Sequence, residues 1–203
     1  MNCKTLLGGL AVLAAAGASL FAATPPLADE GIGSPGGELT YSVTAPMYIS
    51  GYDEARAEAN GYTIVIDEDG NPHSIPVTEE AQAEAAAAAA AYEGTIRPFN
   101  TVFGDCGSSS LFISRSGSTT LVVSTGYAVI APSVGHTWNV DGAVTSGAWS
   151  EGFSGLAFSS SWSAVHNVSV GNNSSGFGLV RPGSEAYLAN GLTCTSGGPS
   201  DSW

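Results

Sequence analysis

From Ile96 to Trp203 the sequence is a succession of strand-length runs separated by Ser, Thr, Gly and Asn, with no helical periodicity. No other feature restricts the fold as much. Ser110 to Arg115 alternates in polarity, and Thr119 to Ala131 (TTLVVSTGYAVIA) is a long β-branched stretch in which Gly126 suggests a bulge or bend. His136 to Thr145 contains Asp141-Gly142, a two-residue hairpin signal. Leu156 to Val170 is strand-like throughout, and Trp162, Ala164, His166, Val168 and Val170 share one parity and hence one face. Phe177 to Val180 and Glu185 to Cys194 come next, the latter with Asn190-Gly191 as another hairpin signal. Roughly seven or eight short strands predict an all-β domain over residues 96–203. A small antiparallel β-sandwich is the first expectation and a small barrel the alternative.

The preceding stretch differs in charge. Between Asp29 and Thr95 there are 13 acids and one base, Arg56; between Ile96 and Trp203 there are 5 acids and 3 bases. Neither part has the basic footprint of a nucleic-acid binder. Thr24 to Gly37 has the Pro and Gly content of a linker. Asp53 to Asn60 reads as a short helix stopped by Gly61, and Tyr62 to Val77 as a hairpin turning at Glu68-Asp69-Gly70-Asn71. Thr78 opens a second helix, with Glu79 and Glu80 favourably placed at its N-terminus and an alanine run from Ala85 to Ala91. That helix, over 78–93, has no amphipathic stripe and reads as a spacer.

Lys4 followed by an uncharged, Leu- and Ala-rich run from Leu6 to Ala23 predicts a signal peptide over residues 1–23, and with it a secreted, extracellular protein. Cys3 would leave with it, and no later apolar run is long enough to span a bilayer. Two cysteines remain, Cys106 and Cys194. In an oxidising compartment an even number predicts a disulfide. The expected organisation is therefore a signal peptide (1–23), an acidic linker or removable pro-segment (24–95) with a hairpin at 62–77 and a helix at 78–93, and a disulfide-closed β domain (96–203).

Several segments invite chemical readings. Gly104-Asp105-Cys106-Gly107-Ser108 resembles the nucleophile loop of chymotrypsin-like proteases and the Asp-Cys pair of peptidoglycan-cleaving cysteine peptidases. A Cys–His couple, with His136 or His166 as base, would make Cys106 a nucleophile. The departures are large. Only His73 precedes Cys106, the residues after Cys106 read as strand and turn rather than helix, and Cys194 is an obvious oxidised partner. His73, His136 and His166 lack metal-ligand spacing, so no metal or cofactor is predicted. Asp67 to Asn71 resembles the start of a calcium loop, but Pro72 occupies the position that needs glycine, and an acidic turn is the plainer reading. Trp138, Trp149, Trp162 and Trp203 could form a sugar-stacking platform. Core packing explains four such rings in a small domain more simply, and Trp203 at the terminus is the one most open to exposure.

The run FGDCGSSSLFIS, the Trp138-Asn139-Val140 strand and the ending CTSGGPSDSW together resemble a group of small secreted actinobacterial proteins. These share a G-[ND]-C-G-S-S opening, a C-x-S-G-G-P-S-D close, and an upstream N-G-Y strand with an acidic turn, as at Asn60-Gly61-Tyr62 and Asp67 to Asn71. The resemblance implies a secreted all-β domain with Cys106 and Cys194 paired. The functional expectation is a non-enzymatic extracellular binding or surface-interaction module whose partner is a glycan or cell-surface component. A secreted cysteine hydrolase acting on peptide or cell-wall bonds is the alternative.

Overall fold

The computed structural model describes residues 42–94, 102–145, 147–172 and 175–203. The expected signal peptide (1–23) and the Pro/Gly linker behind it lie outside the described residues. In chain order the elements are β1 (Val43–Tyr52), α1 (Glu54–Ala59), β2 (Tyr62–Ile66), β3 (Pro72–Pro76) and α2 (Glu79–Gly94). Then come β4 (Gly107–Arg115), β5 (Thr120–Val144), β6 (Gly147–Gly155), β7 (Ser159–Ser169), β8 (Gly176–Val180), β9 (Glu185–Leu188), β10 (Leu192–Ser196) and β11 (Ser200–Ser202).

The 25-residue β5 organises the fold. Its buried positions run Leu121, Val123, Thr125, Tyr127, Val129, Ala131 and Ser133, then change parity to His136, Trp138 and Val140. A change of parity turns the buried face over unless the strand bends. The bend falls between Ala128 and Gly135, where the ladders to β7 and β9 both slip register and Pro132 has no N–H to give. The first half of β5 pairs with β4 and β7; the second half pairs with β6, β8 and β9. β6 and β7 lie one after the other along β5, so the three strands form one long hairpin folded at its middle.

Two sequence expectations are corrected in β5. Asp141-Gly142 is not a turn, because both residues pair within the strand. Gly142 is required instead by packing: a Cβ there would run into the Trp149 ring. Gly126 is likewise not the bend. It sits in an unbroken ladder, where a Cβ would strike the Trp162 carbonyl.

Pairing continues from β5 through β4, β1, β10 and β9 back to β5, closing a small barrel-like antiparallel sheet. The fold is thus all-β, and this part of it takes the barrel form. β8 and β11 extend the sheet alongside the second half of β5. Leu111, Leu121, Val123, Trp138, Val140 and Leu188 fill the interior with no exposed surface. Each aliphatic side chain so buried contributes roughly 1.5–3 kcal/mol relative to exposure.

The boundary expected at residues 95/96 does not separate two folding units. Residues 40–203 cluster as one, and β1, from the acidic segment, lies between β4 and β10 with Met47 fully buried. The residues after β1 are tied down by Arg56. Its Nε donates to the Leu188 carbonyl (3.0 Å), and Nη2 donates to the carbonyls of Gly191 (2.7 Å) and Leu192 (3.0 Å) and to Thr193 Oγ1 (3.0 Å). Nη1 pairs with Asp53, which caps α1 by accepting the Arg56 N–H. The lone cation of the acidic segment therefore clamps the β9–β10 turn, whose Asn190-Gly191 tip the sequence does identify.

The helix expected at 78–93 and the hairpin expected at 62–77 are α2 and β2–β3. α2 is not a free spacer. Ala81 is buried against Tyr62, whose hydroxyl donates to the Ala81 carbonyl, and these join Ala57 and Ala189 in a second small apolar cluster. A residue as small as Ala81 lets the first turn of the helix lie close to Tyr62, a contact that hydrophobic periodicity cannot reveal.

Arg56→Ala should destabilise the fold by about 2–4 kcal/mol, since it strips a charged donor from three carbonyls held out of water. Arg56→Lys should recover less than half of this, because an ammonium cannot reproduce the guanidinium fork. Denaturant unfolding of the three proteins measures both effects.

Candidate functional site

The residues singled out by sequence do not converge on one place. Cys106, just ahead of β4, is bonded to Cys194 of β10, with a Cα separation of 5.8 Å and both residues fully buried. The bond reaches across β1 and closes a span of 88 positions. A sulfur held in this way presents no thiolate, so the hydrolase reading has no nucleophile at Cys106.

His136 and two of the tryptophans, Trp138 and Trp162, lie beside the β5 bend. His136 is buried, its ring centroid 4.3 Å from that of Trp162, and its Nδ1 is 3.4 Å from the Tyr127 hydroxyl. Tyr127 donates to Ser133 Oγ (3.1 Å), which itself donates to the Gly135 carbonyl (2.7 Å). The Ser133 hydroxyl is thus fully buried and committed to the backbone rather than poised for attack. Burial holds the His136 pKa below its ordinary value and raises that of Tyr127. Trp138 is the centre of the core, 0% exposed, with its indole N–H donated to Thr125 Oγ1 at 2.9 Å.

Trp149, Trp162 and Trp203 are partly buried and pack on that core, Trp149 against Trp203 at 6.4 Å between centroids. The four rings do not share an exposed face. His166 has surroundings of its own: its Nε2 lies 3.3 Å from Glu151 Oε2, and Phe153 packs beside it, so that these contacts bridge β6 and β7. His73 pairs with Asp67 at 2.7 Å in the β2–β3 hairpin. Asp67 also accepts the N–H groups of Asp69 and Asn71, and the His73 bond first, with these behind it, holds its pKa down at about 2. Its oxygens serve the turn, and among the described residues no group of His, Cys, Asp and Glu is gathered for a metal.

A surface that sequence reading overlooked lies outside the closed sheet. Across β1, β10, β9 and β5, the register places Tyr48, Thr195, Glu185 and Thr137 in one row, with Thr193 and Tyr187 in the next. Tyr48 is 52% exposed. Thr195 Oγ1 lies 2.7 Å from Ser50 Oγ and 3.4 Å from Glu185 Oε1, and Tyr187 donates to Thr137 Oγ1 (3.3 Å). The Arg56 guanidinium lies 5.6 Å above the Tyr187 ring, so the turn clamp also fixes one side of this face. Two aromatic rings, a line of hydroxyls and one carboxylate thus share the outer surface of these strands, with the disulfide behind it. Alternation marks these residues as outward-facing, but nothing in the sequence says that β1 lies beside β10.

Searches of protein-family models, curated proteins and solved structures find no match to this chain.

The buried groups have two measurable consequences. Replacing both cysteines by alanine should cost roughly 2–5 kcal/mol of stability, measured by thermal or denaturant unfolding. The depressed His136 pKa means that the unfolded chain takes up its proton first as pH falls. The stability His136 contributes is complete above about pH 6.5 and is lost as pH drops through its lower, folded value. The melting temperature should therefore decline on acidification from neutrality, before the carboxylates titrate. That early decline should flatten in His136→Gln.

Proposed function

We propose that this protein is an extracellular, non-enzymatic binding module whose partner is a glycan or other cell-surface component, engaged by the Tyr48–Tyr187 face. The observation that carries this reading is the exposed Tyr48 ring, set on a rigid sheet in a row with Thr195, Glu185 and Thr137. Sugars present apolar ring faces edged by hydroxyls. An aromatic ring answers the first, and hydroxyl and carboxylate oxygens answer the second. A face built on paired strands is pre-organised, so little ordering entropy opposes binding. The disulfide fits an oxidising compartment such as the cell exterior. The face carries one carboxylate and has Arg56 at its border, which favours a neutral or weakly charged partner over a polyanion.

The test is retention on insoluble cell-wall polysaccharide together with a glycan array. Tyr48→Ala should weaken binding about tenfold, and Glu185→Ala by a similar factor, as expected for loss of a central contact. Unfolding curves should stay close to those of the parent. If no polysaccharide or glycan retains the parent protein, or if Tyr48→Ala binds equally well, the reading fails.

A further inference from the structure

The edge strands of this fold are not alike. A free edge offers unpaired N–H and C=O groups to any strand that approaches, and proteins usually block it with charge, proline, glycine or brevity. The β2–β3 ribbon carries Pro72 and Pro76. β11 is three residues long and includes Asp201. β6 carries Glu151 and the glycines 147, 152 and 155. β7 has none of these devices. It is 11 residues long (SSSWSAVHNVS), and among the described residues it pairs with β5 alone. Its ladder to β5 is regular from Ser161 to Ser169, so the edge there has no bulge to turn it away.

The outward groups on that edge can be identified. The Ser161 N–H is given to Ser159 Oγ rather than to β5. The Val170 N–H is given to Thr119 on the β5 side, and the Trp162 carbonyl lies against Gly126. Alternate residues of a strand point their backbone groups to opposite sides. Ser161, Ser163, Val165, Asn167 and Ser169 therefore direct both backbone groups away from β5. Val165 stands at the centre of this set, and its side chain is 68% exposed.

We infer that β7 is a dimerisation edge, and that its occupant is β7 of a second copy of this chain, antiparallel about a two-fold axis at Val165. This interface is distinct from the Tyr48–Tyr187 face. In this register Val165 meets its own counterpart, Ser163 meets Asn167, and Ser161 meets Ser169. The Val165–Val165 and Ser163–Asn167 pairs then exchange both of their backbone hydrogen bonds, and the Ser161 N–H does so with Ser169 by leaving Ser159 Oγ. The two exposed valines cover one another, as a self-complementary two-fold contact requires. Charge does not oppose the pairing. The chain carries a net −13, yet no Asp, Glu, Lys or Arg occurs from Ser116 to Val140 or from Gly152 to Val180. Two copies can therefore meet along β7, with β5 behind it, without placing like charges opposite one another. The product is one continuous antiparallel sheet in the order β4–β5–β7 followed by β7–β5–β4 of the second copy.

The experiment is the mass of the full-length protein by light scattering across a chromatographic peak, over a range of loading concentrations. The parent should run at twice the chain mass and shift toward the monomer on dilution. Val165→Lys places two ammonium groups at the axis and should halve the mass while leaving the circular dichroism unchanged. Asn167→Pro removes an outward donor without touching a bond to β5, and should do the same. An equal mixture of Val165→Lys and Val165→Glu should return to the dimer mass, an effect that a merely local disturbance would not produce. A parent that is monomeric at every concentration overturns the proposal, whether or not it captures some other extended peptide. A folded Val165→Lys protein that stays dimeric, or a mixture that stays monomeric, also overturns it.

Discussion

The bend of β5 at Ala128 to Gly135 is the constraint on which the rest of the structure depends. One strand supplies both walls of the core, because its buried parity changes where it folds over. Every strand from β4 to β9 takes its place against one half of β5 or the other. The aromatic group of Tyr127, His136 and Trp138 forms because residues from both sides of the bend come face to face. Such long-range pairing carries a high cost in loop closure, and the disulfide reduces that cost in the unfolded chain.

Closure of the sheet depends on a strand from an unexpected source. β1 belongs by its place in the chain to the acidic segment, but it fills the gap between β4 and β10. With it come Arg56, which holds the β9–β10 turn by three carbonyls, and α2, which covers the second apolar cluster. Residues 42–94 are thereby part of the same compact unit as the β domain, and Arg56 serves both Asp53 and the carbonyls of the β9–β10 turn.

The candidate surfaces were legible to different degrees. The cysteine pair could be read from number and the expected oxidising compartment, and the tryptophans' preference for the core from the burial that aromatic rings supply in a small domain. Tyr48 and Tyr187 could not be read as partners, since nothing local joins residues so far apart in sequence. The shared face of Trp162, Ala164 and Val168 was visible as parity, and these residues do face the inner positions of β5. His166 keeps that parity, yet its side chain is about half exposed, because it sits where the sheet opens toward Glu151.

The sequence by itself determined the all-β class, the hairpin and turn at Asp67 to Asn71, the alanine helix and the turn at Asn190-Gly191. Each arises from contacts or backbone preferences within a few residues. Only the tertiary structure decided that Asp141-Gly142 stays extended, that Gly126 makes room for a neighbouring carbonyl, that β1 joins the barrel and that β7, among the described residues, pairs on one side alone. Those outcomes depend on which strands meet. Strand pairing is settled by burial and hydrogen bonding between distant residues, which alternation along one segment leaves undetermined.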